Sequence, residues 1–202
     1  MKNILLVTDG LIHPPLTARR ALHSALVERT QSNFQHVRSM EKLPKDLENF
    51  SALVLYFHHK RISDTALEKL ENFVSAGGGG LGIHTATASF KKQPAYSETL
   101  GGRFTGHGPV ESFELQPLPE SAIFKGIPSF RVKDELYLHE LQPEIETHFT
   151  VMHKAAKIPA VWTTHYGRGR VCYAMPGHRT ETMRNSIYQR VLMRGLAWVC
   201  GK

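Results

Sequence analysis

Apolar residues along this chain fall into short runs divided by turn-forming residues. Asn3 to Thr8 is one such run, closed by Asp9-Gly10 in the pattern of a buried strand. After a loop holding His13-Pro14-Pro15, residues 16 to 30 predict a helix. Its stripe would combine Leu16, Leu22, Leu26 and Val27, with Arg19, Arg20 and His23 alongside. Phe34 to Val37 reads as a second strand. Ser51 to Phe57, "SALVLYF", is a strong buried strand with His58-His59-Lys60 at its end. Ser63 is placed to cap a helix whose Ala66, Leu67, Leu70, Phe73 and Val74 share one face, and Gly77 stops it. Gly80 to Ile83 forms a short strand that ends at His84.

Alternating strands and helices with short links predict a parallel sheet covered on both faces. Ligands of such sheets bind beyond the carboxyl ends of the strands, which puts Asp9, His13, His58 and His84 on the binding edge. The second half changes character. "VESFELQPL", "FTVMHK", "PAVWTTHYG" and "GRVCYAM" are strand-like segments joined by turns, with a hairpin expected at Tyr166 to Arg170. They predict antiparallel strands added to the sheet. A helix from about Asn185 to Val199 closes the chain, turning Ile187, Val191, Leu192, Leu196 and Val199 to the core. No linker, repeat or low-complexity segment interrupts residues 1 to 202, so one domain is expected.

Composition narrows the function classes. The 202 residues are 41% hydrophobic and 21% charged, ordinary for a globular domain. No apolar run reaches the roughly 20 residues of a membrane span. The start lacks the apolar length and small-residue cleavage site of a signal peptide. A cytoplasmic protein without a membrane partner is expected. The net charge of +7 is spread along the chain. Its densest cluster is Arg168-Gly-Arg170, with no basic arm, zinc finger or aromatic-basic interleaving, so nucleic acid is not an expected partner. Cys172 and Cys200 are the two cysteines; outside any CxxC pair, they read as free thiols.

Candidate chemistry lies where apolar runs end in histidine. In "GGGGLGIHTATASF" the segment Gly82-Ile83-His84-Thr85-Ala86 has the outline of a nucleophile elbow, with a histidine at the tip. His84 is either a packed core residue or a group presented at a helix start, where exposed N–H groups favour anions and polarised oxygens. "YAMPGH" ends in His178, followed by Arg179 and Glu181, and "TGHGP" sets His107 between glycines. "KDELYLHE" holds Asp134, Glu135, Tyr137 and His139. It is either a solvated loop or an extended segment with Glu135, Tyr137 and His139 on one face. None of these spacings is a metal signature of the HExxH kind.

In order, "GLGIHTATASF", "SETLGGRFTGHG", "IFKGIPSFRVKDELY", "PAVWTTHYGRGRVCYAMPGH" and "GLAWV" resemble the motifs of the ThuA-like (trehalose utilisation) family, from about Asn3 to Val199. The resemblance implies a flavodoxin-like, class I glutamine amidotransferase-like three-layer α/β sandwich, with a mostly parallel central sheet and antiparallel strands added in the second half. In the amidotransferases a cysteine stands at the elbow and a strand-end histidine completes the dyad. Here His84 takes the cysteine's place and His178 the histidine's, while Glu181 departs from the His-Pro-Glu order. The implied pocket lacks a thiol nucleophile and should have no glutaminase activity. The implied catalytic set is His84, His178 and Glu135, with His13, His107, Tyr137 and Asp134 as binding residues. His84, His178, His107 and Glu135 could instead hold a divalent metal such as zinc. The implied partner is a small carbohydrate: trehalose, a related disaccharide or a keto-sugar. The alternative is a non-catalytic sugar-binding or partner-binding domain. Tyr96, Phe104, Tyr137, Trp162 and Tyr166 lie near the motif loops and could pack on a pyranose, although Trp162 also reads as core. Arg103, Arg168 and Arg170 could meet hydroxyls or an anion, or simply decorate the hairpin. A homodimer through a sheet edge or the terminal helix is expected from "YQRVLMRGLAWV" and the prevalence of two-fold assemblies.

Overall fold

Strand β1 (Lys2–Thr8) opens the chain, and its run of apolar residues is buried from Ile4 onward. Alternate side chains of this strand enter different cores. Ile4 and Leu6 pack on one side of the sheet, Leu5 and Val7 on the other, as the two-residue period of a strand requires. Strand β3 (Ala52–Tyr56) repeats the pattern, with Ala52, Val54 and Tyr56 against Leu53 and Leu55. A continuous apolar run is therefore what a doubly covered strand looks like. The computed structural model describes residues 1–9 and 14–201; His13, expected on the binding edge, lies outside them.

Helix α1 (Leu16–Arg29) links β1 to β2 (Ser32–Val37), and α2 (Asp64–Ser75) links β3 to β4 (Gly79–Ile83). Ser63 caps α2 by accepting the Ala66 N–H at 3.2 Å, and the five residues predicted for its apolar face are the buried ones. In α1 the buried stripe is Ala18, Leu22, Ala25 and Leu26. Leu16 and Val27, expected inside, stand 38% and 48% exposed.

The second half supplies α3 (Pro94–Leu100), β5 (Gly102–Pro117), β6 (Phe130–Leu141), β7 (Glu146–His153), β8 (Ala156–Tyr166), β9 (Gly169–Ala174), α4 (Thr180–Arg184) and α5 (Ser186–Val199). Nine strands form one sheet in the order β2-β1-β3-β4-β9-β8-β7-β5-β6. The β2-β1-β3-β4-β9 half is parallel, in the order of flavodoxin-type sheets. The other four pairings are antiparallel. A mostly parallel sheet was expected; the division is even, with four parallel and four antiparallel pairings. Helices α1 and α5 cover one core, and α2 and α3 the other.

The predicted hairpin is present between β8 and β9, with Tyr166 opposite Gly169 and Gly167 at φ +58° in the turn. Asn185 starts α5, its Oδ1 accepting the N–H groups of Ile187 and Tyr188 at 3.0 Å. Of the predicted core face of α5, Val191, Leu192, Leu196 and Val199 are buried, and Tyr188 joins them. Segment "KDELYLHE" is a strand rather than a solvated loop: it forms the centre of β6. β5 joins the main sheet through Gln116 and Pro117 and pairs along the rest of its length with β6. The β5–β6 ribbon thereby carries one face of β6 over the carboxyl ends of β4 and β9. Register shifts between Phe104 and Gly106, and between His107 and Val110, break the β5–β6 ladder. Such bulges re-aim side chains.

Candidate functional site

β4 ends at Ile83 and the chain turns at once through a single 3₁₀ turn, His84–Ala86. His84 has φ +46°, a left-handed conformation that costs a side chain energy and that surrounding structure must hold in place. Three groups do so. The phenol of Tyr173 donates to the His84 carbonyl at 2.8 Å. Thr87 Oγ1 lies 2.9 Å from the Tyr173 hydroxyl and 2.9 Å from His139 Nε2. The His84 ring is anchored separately: Nδ1 lies 2.8 Å from the Met175 carbonyl. A carbonyl can only accept, so Nδ1 carries a proton, and Nε2 is the ring nitrogen left to face the pocket. Nε2 is buried and makes no hydrogen bond.

The segment after β9 brings the second histidine. Two buried tyrosines hold its carbonyls, Tyr188 donating to Pro176 and Tyr56 to Gly177. Asp134, fully buried, holds its amides. The Asp134 Oδ1 accepts from Gly177 at 3.2 Å and His178 at 2.9 Å, and its Oδ2 accepts from Arg179 at 3.2 Å. Oδ1 also accepts the Glu135 N–H at 2.9 Å. Gly177 permits the approach, since a Cβ there would sit 2.7 Å from the His84 Cβ.

Glu135 completes the cluster from β6. Its Oε2 is 3.4 Å from His84 Nε2 and 3.6 Å from His178 Nδ1. The two imidazole centroids are 6.0 Å apart. One ligand atom from each of His84, Glu135 and His178 falls within 4.8 Å of the others. Burial would push the Glu135 carboxyl up. The adjacent His84, together with the charges of His178 and His107, outweighs it and brings the group down to about 2. Glu135 is therefore an anion at neutral pH, under 10% exposed, between two imidazoles.

Tyr137 stacks beside the His84 ring with centroids 4.0 Å apart. Burial, then Tyr173 and Glu135, hold its phenol above the usual range, so it is a neutral donor. His107 Nδ1 is 4.0 Å from Glu135 Oε1, but that nitrogen is 2.7 Å from the Gly108 carbonyl, so His107 stands at the partly exposed rim. His139 sits behind the cluster; burial and then His84 lower its imidazole to about 3. Glu181 is turned away, pairing with Arg179 at 3.1 Å.

Several residues of this architecture carried no sequence signal. Met175 contributes only a carbonyl, Gly177 only its missing Cβ, and Thr87, in the turn after His84–Ala86, meets Tyr173 of β9 from far along the chain. Glu135, Tyr137 and His139 do share one face of β6, as an extended reading of that segment implies. Tyr96 and Trp162, considered for sugar stacking, are core residues at 1% and 0% exposure, and the Trp162 indole donates to the Leu100 carbonyl at 2.9 Å.

The overall shape has known counterparts. A ThuA-like protein from Parabacteroides merdae superposes with a TM-score of 0.84 at 19% identity, over 100% of this chain and 90% of that one. A ThuA-like protein from Bacteroides uniformis gives 0.82 at 18% identity, over 98% and 91%. A cytoplasmic protein of Salmonella typhimurium LT2 gives 0.76 at 13%, over 98% and 99%. At these identities the likeness establishes the fold. No curated protein matches in sequence. The family model described as ThuA, trehalose utilisation, matches residues 3–199, and with nearly the whole chain covered this protein belongs to the ThuA family.

Proposed function

We propose that this chain acts in carbohydrate catabolism on a trehalose-type disaccharide or keto-sugar, at a centre where His84, Glu135 and His178 hold a divalent cation such as zinc. One observation carries the reading: His84 Nε2 is buried and makes no hydrogen bond, and it lies 3.4 Å from a Glu135 carboxylate oxygen that also faces a second imidazole. A buried ring nitrogen without a hydrogen bond costs about 1–3 kcal/mol, which a ligand would recover. The spacing supports a small tetrahedral ion. Bonds of about 2.1 Å put neighbouring ligands about 3.4 Å apart, and the two contacts of Glu135 measure 3.4 and 3.6 Å. Two histidines and a carboxylate are a donor set that leaves a position open. The Met175 carbonyl fixes the His84 tautomer in the way outer-sphere partners of metal-bound histidines do.

A bound zinc would supply Lewis acidity toward a sugar oxygen or a water. The chain's own groups do the rest. Glu135 supplies negative charge, Tyr137 offers a neutral phenol beside His84, and His107 at the rim is placed to meet a sugar hydroxyl and to exchange protons with it. A thiol route to glutamine hydrolysis has no support. Cys172 is buried in β9 with its thiol pushed up to about 12, and Cys200 follows α5. No helix among the described residues is long and apolar enough to cross a membrane. We place the protein in the cytoplasm, a reading supported by the description of the Salmonella relative.

The test is to incubate zinc-loaded protein with trehalose and with its 3-keto derivative, following products by NMR. Turnover that is lost in His84→Ala and Glu135→Gln is the expected result. Saturable sugar binding without turnover would favour the non-catalytic sugar-binding alternative. Turnover unchanged in both variants would remove the centre from the reaction.

A further inference from the structure

A second basic feature lies on the same carboxyl edge of the sheet, away from the His84 cluster. A cavity of about 430 Å³ opens between α1 and the ends of β1 and β2. Its polar wall is Thr8, Arg19, Arg20, His23, Ser24, His36 and Arg38, and among the described residues no carboxylate lines it. Leu6 and Leu22, both buried, form its floor. The nearest acid in sequence, Asp9, is turned to His59 at 3.2 Å.

Two further observations point to a ligand. Arg19 Nε is buried and has no hydrogen-bond partner, while its guanidinium makes only a long 3.4 Å contact to the Thr8 carbonyl. Arg19 is half-buried and lines the cavity, and among the described residues that one long bond is all that holds its terminal nitrogens. The start of α1 is also bare: Pro15 at the cap offers no side-chain acceptor, and the first turn holds no acidic residue. Leu16 of that turn lines the cavity, so the positive end of the helix dipole adds to the arginines.

Three basic groups on the opposite edge of the sheet are used differently. Lys2 donates to the Cys200 carbonyl at 3.0 Å, Arg168 to Ala76 at 3.3 Å and Arg170 to Trp198 at 3.2 Å. Those cations are engaged in closing the carboxyl ends of α2 and α5, the ordinary structural use of a positive side chain there.

We propose that the cavity between α1 and the ends of β1 and β2 is a binding site for a phosphate monoester, with Arg19 and Arg38 on the phosphoryl oxygens. Arginine suits this role because its planar fork meets two oxygens of a tetrahedral anion at once. The volume lies within the range of small-molecule sites, about 300–1,000 Å³, and leaves room beside the phosphate for an organic group on the leucine floor. The site is independent of the His84 centre and of the reading given to it.

The probes are inorganic phosphate and glucose 6-phosphate, with glucose and acetate as controls, titrated calorimetrically into the intact protein. One saturable site for glucose 6-phosphate, weakened at least 10-fold in both Arg19→Gln and Arg38→Gln and unchanged in His84→Ala, is the expected result. Arg38 is exposed, so its replacement leaves folding intact should Arg19→Gln disturb it. If phosphate alone binds as tightly as the ester, the anion is free phosphate and the organic subsite is wrong. No saturable binding, equal binding of acetate, or equal weakening by Lys45→Gln on the opposite edge would overturn the proposal. Binding lost in His84→Ala but kept in the arginine variants would do the same.

Discussion

Replacing Asp134 with asparagine isolates how the second histidine is held. The carboxylate is fully buried and accepts four backbone N–H groups, three at Oδ1 and one at Oδ2. The carboxamide keeps one oxygen for Glu135, Gly177 and His178. It sets an NH₂ group against the Arg179 N–H, a donor facing a donor. Hydrogen bonds to a charged group are worth about 1.5–3 kcal/mol each, and neutral ones roughly half as much. One bond lost and three halved sum to about 4–7 kcal/mol as an upper bound, and with relaxation of the segment the cost stays above about 2 kcal/mol. Urea unfolding at neutral pH reads this directly. Because the same amides set the path of the segment carrying His178, zinc affinity in Asp134→Asn should fall about 10–100-fold, the usual cost of losing an outer-sphere support. A variant within about 0.5 kcal/mol of the parent, with zinc affinity unchanged, would refute the assignment of Asp134 as the holder of the loop.

Gly177→Ala puts a methyl 2.7 Å from the His84 Cβ and 2.9 Å from the Met183 Cε, and should cost about 1–3 kcal/mol as overpacking, seen as a lower urea midpoint together with weaker zinc binding. In metal-free protein, Glu135 titrates at about 2 in the fold and near 4.3 when unfolded. It thus contributes stability that is complete above about pH 4.5 and lost as pH falls toward 2; Glu135→Gln should flatten acid unfolding in that window, and an unchanged acid limb would count against the depressed carboxyl. His139, lowered to about 3 by burial, binds its proton far more readily unfolded, so it withdraws stability as pH falls from about 6.5 to 3; His139→Gln should lose less stability than the parent across that range, by thermal melts in a pH series. Tyr173→Phe removes the hydroxyl that donates to the His84 carbonyl at 2.8 Å and should cost about 1 kcal/mol, measured by the same unfolding assay.

The parallel half of the fold was legible because its inner strands, β1, β3, β4 and β9, are buried on two faces. "SALVLYF" can hardly be anything else once Ser63 and Gly77 mark the ends of the following helix. The β5–β6 ribbon was harder to see. "TGHGP" interrupts β5 with glycines and a proline, and the register shifts at that point show why its strand period is broken there. In "KDELYLHE" the apolar alternation fails because Asp134 and Glu135 are both buried, one spent on backbone amides and the other facing the imidazoles. Polar residues used internally look, in a sequence, like residues facing solvent. His84 was visible from the small residues around it, whereas its anchors were not: a carbonyl of Met175 and a phenol on β9 leave no local mark.

The central claim is that His84, Glu135 and His178 together form a metal centre. It is tested most directly by crystals grown with equimolar zinc and anomalous diffraction measured on both sides of the zinc absorption edge. The account predicts a peak at full occupancy, about 2.0–2.2 Å from His84 Nε2, a Glu135 carboxylate oxygen and a His178 ring nitrogen, absent in crystals of His84→Ala. No peak between these three side chains, or zinc bound only at surface histidines, would contradict it.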